Sequence, residues 1–315
     1  MITFITQAIR IGMSFLLGST GETITEKSGH LNLGIPGIMC VGASVGCLAE
    51  NIYLNSVTNP NPFLAVLLPL LATFIGSALM GAIYSFLTVT LRANQNVTGL
   101  ALTTLGIGIS KYIIDQILDM KFSQASKYFT AGFPFADKLG VIGDIFFSHG
   151  VFVYLAIIIA LITSFVLNRT RTGLHLRAVG ENPATADAAG VNVTLYRYVA
   201  TMIGSGVAGI GGLSYIMDNL NGNWEYTVDA IGWLSIALVI FTLWKPTLAI
   251  FGSILFGACY IASSYISGIS FAEKELLKMF PYIVTIIVLV IISVRKKREH
   301  QPPEALGLPY FREER

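Results

Sequence analysis

Cysteines, metal-ligand clusters and nucleotide-binding motifs are scarce or missing in this sequence. The three cysteines, Cys40, Cys47 and Cys259, lie in apolar stretches without a C-x-x-C pair, and we predict that they are small buried hydrophobes. The four histidines are dispersed and form no H-E-x-x-H pattern, so no metal site is predicted. No G-x-x-x-x-G-K-[ST] motif occurs, so the chain is not expected to bind or hydrolyse ATP itself.

Charged residues are also few. They make up 12% of the 315 residues, about half of what a soluble protein carries, whereas 54% are hydrophobic and the mean hydropathy is +0.69. Most of the uncharged stretches reach the roughly 20 residues that a helix needs to cross a bilayer. These stretches are residues 62–91, 145–168, 198–217, 246–272 and 279–294. The predicted fold class is therefore all-α, a polytopic transmembrane helical bundle.

The spacing of the apolar stretches predicts about nine spans, within a range of eight to ten. We place them near residues 3–20, 33–52, 63–91, 97–119, 148–168, 195–217, 230–244, 247–267 and 279–294. The start, MITFITQAIRIG, lacks the basic region and cleavage site of a signal peptide and is expected to belong to the first span. Residues 1–294 are thus expected to form the transmembrane domain, followed by a basic cytoplasmic tail over residues 295–315.

The basic residues between the spans indicate the orientation. An odd number of spans puts the two termini on opposite sides of the membrane. If the N-terminus is external, the basic residues from Lys27 to the run at 295–298 fall mainly on one side, which the positive-inside rule makes the cytoplasm. These charges are therefore topological and do not indicate nucleic-acid binding.

The longest basic interruption, residues 169–197, contains a short helix that is signalled by its ends. Asn182 can cap it with its side-chain oxygen, Pro183 suits the first helical position and Gly190 fits a left-handed stop. The two turns between them are too few to be stable alone. Two alternatives stay open, a self-packed connecting loop or a helix that docks into a groove of a partner protein. Its polar contacts to a partner would be Arg177, Glu181 and Asp187.

A charged run passes directly into an uncharged, glycine-spaced helix over residues 21–46, GETITEKSGHLNLGIPGIMCVGASVG. Glycines at this spacing permit close backbone approach or a broken helix, where transport proteins build pathways. Ionisable and amide groups at membrane depth are further candidates, because they are costly to place there. The candidate pathway residues are Glu26, Asn32, Gly34, Gly37, Asn96 and Thr103.

Other polar and glycine residues favour structural interpretations. Arg10 is expected to extend its charge towards the membrane surface, and Lys111 and Asp115 are spaced to pair on one helix. Trp224 fits the aromatic belt at the membrane interface. The G-x-G-x-x-G match at residues 204–209 has no strand before it, so it predicts close helix packing and not a dinucleotide site.

Three stretches carry a family resemblance: GETITEKSGHLNLGIPGIMCVGA, LHLRAVGENPATADAAGVNV and ALGLPYFREER. With them the chain resembles the permeases of bacterial ABC importers of the branched-chain amino acid and ribose permease superfamily. It is most similar to the nucleoside type that works with a basic-membrane-protein lipoprotein, and to the shorter of the two paired permeases. It departs from the family pattern at His30, where an apolar residue is usual, and at Pro36, where many members have an acidic residue.

The resemblance implies a transport subunit, not an enzyme, in the bacterial cytoplasmic (inner) membrane. A second permease subunit, expected to be different and longer, would complete the pathway. Cytoplasmic ATPase subunits would bind ATP and Mg, and an external lipoprotein would deliver the substrate, so that this chain needs no cofactor. Segment 174–191 would couple to the ATPases through Arg177, Glu181, Asn182, Pro183, Ala186, Asp187 and Gly190.

The polar side chains within the spans bear on the cargo. Nucleosides are uncharged and carry several hydrogen-bonding groups, which suits spans that offer Asn, Ser and Thr with few ionised side chains. The alternative is a permease of the same superfamily for a sugar such as ribose or for another small solute. A secondary transporter or an intramembrane enzyme would need a dense ionisable relay within the spans, which this sequence lacks.

Overall fold

The computed structural model describes residues 2–118, 121–133, 136–266, 268, 270–295 and 301–311 of the chain. Its first helices are α1 (Ile2–Glu26), α2 (Ile35–Ser56), α3 (Pro62–Ser85), α4 (Gln95–Ile117), α5 (Ser123–Thr130), α6 (Gly140–Phe146) and α7 (Val151–Arg169). They are followed by α8 (Arg171–Glu181), α9 (Pro183–Ala188), α10 (Val193–Ser214), α11 (Val228–Phe241), α12 (Pro246–Tyr265), α13 (Phe271–Lys278) and α14 (Phe280–Arg295). The described residues pair as strands only at an isolated bridge between Lys121 and Asn223, so the all-α class is confirmed.

Among the described residues, seven helices are long and apolar enough to cross a membrane. They are α1, α2, α3, α4, α7, α10 and α12, with α3 and α10 extended by π-helical turns at Phe86–Thr90 and Tyr215–Asn219. Two further helices overlap predicted spans but are shorter, α11 with 14 residues and α14 with 16. A polytopic helical bundle is therefore confirmed, whereas nine crossings stay a prediction.

The largest difference between a predicted and an observed span boundary is at the C-terminal end of the first span. Helix α1 continues to Glu26 instead of ending near residue 20. Glu22 and Glu26 therefore lie inside the helix and are buried. The expected charged connection is reduced to residues 27–34.

The centre of the bundle is the contact between α1 and α10. A Cβ atom added at Gly204 would overlap the carbonyl oxygen of Gly21, and one added at Gly21 would overlap the carbonyl oxygen of Gly204. The two backbones thus touch directly, as small residues allow in membrane helices. The glycine pattern at residues 204–209 serves helix packing, as predicted. In the most apolar 18-residue stretch of α10 and its π-helical turn, 83% of the residues are buried.

The connections with basic residues meet at one end of the bundle. The backbone N–H of Leu31 donates to Oε1 of Gln95, at the start of α4, over 2.9 Å. Three basic side chains line one cavity at this end, those of Lys27, Arg177 and Lys245. We call it the basic end, and it comprises residues 27–34, 91–94, 242–245, helices α8 and α9, and residues 301–311.

Two local predictions did not include the partners that distant residues provide. The Arg10 guanidinium forms a salt bridge of 2.9 Å with Asp218, which is 1% exposed in the π-helical turn after α10, and its extension towards the membrane surface stays a prediction. The predicted pair of Lys111 and Asp115 is wrong: among the described residues they form no ion pair with each other, and both contact Tyr226 instead. The Tyr226 hydroxyl donates to Asp115, and the Lys111 ammonium lies 5.4 Å from the ring centroid.

Trp224 also differs from its prediction. Its side chain is 6% exposed and belongs to the main hydrophobic core. A position in the aromatic belt would leave one edge of the indole at the membrane interface. Trp224 is therefore a packing residue.

Candidate functional site

The connection after α7 folds into two consecutive helices whose ends follow local rules. Thr170 caps α8 by accepting the backbone N–H of Gly173 over 3.1 Å, and Asn182 caps α9 by accepting that of Thr185 over 2.9 Å. Pro183 lies in the first turn of α9, and Gly190 follows the helix with a φ of +84°. The predicted cap, proline and left-handed stop of the short helix are all confirmed.

The predicted coupling residues divide by exposure. Glu181, Asn182 and Gly190 are exposed, and Arg177, Pro183 and Asp187 are half-buried. Ala186 is buried against Val179 and Val193, so it fastens α9 to its own chain. The exposed surface of α9 and the residue after it also includes four positions that the sequence did not single out: Ala184, Thr185, Ala188 and Ala189.

Residues 301–311 lie against the two short helices. The Tyr310 hydroxyl donates to Oδ2 of Asp187 over 2.8 Å, and the backbone N–H of Ala305 donates to the carbonyl oxygen of Gly180 over 3.0 Å. Asp187 therefore already has a partner within the chain. Sequence reasoning treated the tail as a basic extension and did not predict this contact; residues 296–300 and 312–315 of that tail lie outside the described residues.

A buried group of polar side chains lies partly within the basic end and partly in the last turns of α1. We call it the polar cluster, and it is formed by Glu22, Glu26, His30, Asn32 and Trp244. The backbone N–H of Asn32 donates to Oε1 of Glu22 over 3.0 Å, and the Trp244 indole N–H donates to Oε2 of Glu26. Nδ1 of His30 lies 3.1 Å from the Thr201 hydroxyl. The first four members are at most 2% exposed.

Several atoms of the polar cluster lack a hydrogen-bond partner in the described structure. They are Oε2 of Glu22, Nε2 of His30 and Nδ2 of Asn32. Buried polar atoms are nearly always bonded, and each one left unpaired costs about 1–3 kcal/mol. Water, a solute or another arrangement of the helices can satisfy these atoms.

The electrostatics of the cluster keep His30 neutral. Burial lowers the pKa of His30 well below its usual range, and the nearby charge of Arg197 lowers it further. A neutral ring bonded at Nδ1 offers one remaining nitrogen to a further partner. His30 therefore contributes hydrogen bonding and no charge at neutral pH.

Trp244 was missed by sequence reasoning. It reaches Glu26 from a turn in which Leu243 and Trp244 both have positive φ values, +57° and +55°. Such backbone is strained for residues other than glycine and persists only where the surroundings hold it. No local sequence signal marks this turn, because its partner lies 218 residues away.

The six predicted pathway residues do not form one lining. Glu26 and Asn32 belong to the polar cluster, whereas Gly37 packs against the backbone of Thr103. The Thr103 hydroxyl donates to the carbonyl oxygen of Leu33 over 2.8 Å. Gly34 is buried beside Leu102, and only Asn96 is exposed. Five of the six are thus enclosed by helix packing in this conformation.

The helical bundle and the exposed short helix at its basic end are the parts of a membrane permease. The chain belongs to the family described as branched-chain amino acid transport system / permease component, which it matches over residues 4–289. It is a multi-pass membrane protein and a transport component of this family.

Three relatives are similar over nearly the whole chain. The nucleoside ABC transporter permease protein NupC of Lactococcus lactis subsp. cremoris is 32% identical over 306 residues, 93% of this chain and 92% of the relative. The guanosine ABC transporter permease protein NupQ of Bacillus subtilis is 30% identical over 95% of this chain and 93% of its own length. The putative glucose ABC transporter permease protein TsgC13 of Haloferax volcanii is 32% identical over 95% and 94%. No solved structure matches the chain.

Proposed function

We propose that the chain is the transmembrane permease subunit of an ATP-driven ABC importer for nucleosides, located in a bacterial cytoplasmic membrane. The observation that carries the proposal is the exposed, capped helix α9, which lies at the same end of the bundle as the buried polar cluster. A coupled permease needs a surface that its ATPase can contact and a polar site for the solute, and α9 and the polar cluster provide them. The similarity to NupC and NupQ supports nucleosides as the cargo.

The partners follow from this role. Cytoplasmic ATPase subunits bind ATP and Mg and dock against α9, while an external lipoprotein delivers the substrate. A second permease subunit, different from this one, lines the pathway from the other side. Most of the predicted pathway residues are enclosed within this chain in the described conformation. A conformation that exposes Asn32 and Glu26 to the pathway would separate the helices around the polar cluster.

The polar cluster suits an uncharged solute with several hydrogen-bonding groups. Its unpaired atoms on Glu22, His30 and Asn32 include both donors and acceptors. The cation that acts on His30 is Arg197, and no ion pair to Glu22 or Glu26 is found within the part of the chain that the structure describes. These features support a nucleoside and equally accommodate a sugar. The similarity to TsgC13 favours glucose as the second candidate cargo.

Uptake competition is expected to separate these cargoes. Cells that express the complete transporter should lose uptake of labelled guanosine or adenosine when an excess of unlabelled purine nucleoside is added. Ribose, glucose and a branched-chain amino acid at the same concentration should leave uptake nearly unchanged. Equal competition by a sugar would reject the nucleoside assignment and leave the permease assignment intact.

The orientation of the basic end has its own test. Single cysteines at Asn182, Asn59 and Asn221, all exposed positions, are placed in a background without the three natural cysteines. In intact cells a membrane-impermeant maleimide should label positions 59 and 221 but reach position 182 only after the membrane is opened. Labelling of position 182 from outside would invert the topology and remove α9 from contact with a cytoplasmic ATPase.

A further inference from the structure

The described part of the C-terminal tail is held at several separate points. We call residues 301–311 the C-terminal strap. Besides its bonds to α8 and α9, its Gly307 N–H donates to the carbonyl oxygen of Gly29 over 3.1 Å. The Arg92 guanidinium lies 4.8 Å from the centroid of the Phe311 ring. The strap therefore crosses from the short helices to the connection between α1 and α2 and to the turn before α4.

Gln95 joins the strap to the connection between α1 and α2. This side chain is 4% exposed. Its Nε2 donates to the carbonyl oxygen of Leu308 over 3.4 Å, and its Oε1 accepts the backbone N–H of Leu31 over 2.9 Å. The Tyr84 hydroxyl donates a hydrogen bond to the carbonyl oxygen of Leu31 over 2.5 Å. Leu31 directly precedes Asn32 and follows His30, so Gln95 fixes the backbone between two members of the polar cluster.

These bonds form a continuous connection from α9 to the polar cluster. It runs from Asp187 to Tyr310, along the strap to Leu308, through Gln95 and on to Leu31. The first bond involves a carboxylate, which makes it stronger than a bond between neutral groups. A displacement of α9 by a bound ATPase would pull on Tyr310 and so on the residues beside Asn32.

We propose that the C-terminal strap transmits the movement of α9 to the polar cluster, with Tyr310 and Gln95 as positioning residues. The proposal rests on the proposed function, since it assigns a route within a permease that α9 couples to an ATPase. A passive tether would only hold the short helices in place. The strap instead connects α9 to the polar cluster by a route separate from the covalent chain through α8. This route ends at Leu31, between His30 and Asn32.

The test uses the complete transporter in proteoliposomes, with ATP hydrolysis and nucleoside uptake measured on the same preparation. Tyr310→Phe removes only the hydroxyl that bonds Asp187, and Gln95→Met removes both side-chain bonds at similar length. The matched control is Tyr265→Phe, which removes a hydroxyl bonded to Gln7 at the opposite end of the bundle over 2.8 Å. Complex assembly is followed by co-purification of the ATPase.

We expect Tyr310→Phe and Gln95→Met to leave assembly and basal ATP hydrolysis near the unmodified values. Uptake should fall roughly fivefold or more in each, because Tyr310→Phe removes one hydrogen bond and Gln95→Met removes two, so that more ATP is hydrolysed per nucleoside moved. Because the two bonds act in series, the double variant should be little worse than either single variant. Tyr265→Phe should match the unmodified transporter.

Three outcomes would overturn the proposal. An unchanged ratio of ATP to nucleoside in both variants means that the strap transmits nothing. Loss of assembly together with uptake and hydrolysis means that it is a tether. Strictly multiplicative losses in the double variant mean that the two bonds act independently.

Failure of the proposed function would show in the unmodified complex, which would move another solute or recruit no ATPase. If the complex moves another solute, the ratio of ATP to solute is measured with that solute. If it recruits no ATPase, the strap proposal fails as well.

Discussion

Replacing Gly204 with valine is expected to remove nearly all folded permease from the membrane. A Cβ at this position would overlap the carbonyl oxygen of Gly21 and the side-chain oxygen of Thr25. Backbone on the opposing helix cannot rotate away as a side chain does, so α1 and α10 would have to separate. Overpacking a well-packed contact costs about 1–3 kcal/mol, and we expect the upper end or more here because the contact lies at the centre of the bundle.

The matched control is Gly108→Val in α4. A Cβ at Gly108 meets nothing within 4 Å, and the residue is exposed in a helix with ordinary φ. Fluorescence-detected size-exclusion chromatography of tagged variants should show a normal peak for Gly108→Val and aggregated or absent protein for Gly204→Val. A normal, thermally stable Gly204→Val peak would disprove the direct contact between α1 and α10.

The sequence predicts α9 in detail because all of its signals are local. A cap, a first-turn proline and a left-handed glycine act within nine residues, and each depends on backbone geometry that neighbouring residues set. Asn182 and Gly190 therefore occupy the predicted conformations. The apolar spans are predictable for the same reason, since hydropathy is summed along a continuous stretch.

The candidate site was predictable only in part, because its partners come from distant segments. Glu26 was identified as a candidate, but its hydrogen-bond donor is Trp244, which lies in a turn after α11. The spacing of Lys111 and Asp115 predicted a pair, and Tyr226 from another connection contacts both instead. The C-terminal strap is held largely through backbone groups, which leave no periodic pattern in the sequence.

Gly190→Val is expected to abolish most transport while leaving a folded permease. With a φ of +84°, Gly190 occupies a conformation that costs other L-residues roughly 1–2 kcal/mol, and a β-branched residue is a particular outlier there. The strain would loosen the turn in which the Val191 N–H donates to the carbonyl oxygen of Ala186 over 3.0 Å. The end of α9 would then be displaced from its docking position.

The damage should be confined to coupling, because no atom lies within 4 Å of a Cβ at Gly190 and no span is altered. Nucleoside uptake should fall about tenfold, as 1.4 kcal/mol of strain in the docking surface implies, together with recruitment or stimulation of the ATPase. Gly190→Asn is the matched control, since asparagine adopts left-handed backbone more readily, and it should retain most uptake. If Gly190→Val transports normally, α9 is a self-packed connection, and ATPase coupling must lie elsewhere on the basic end.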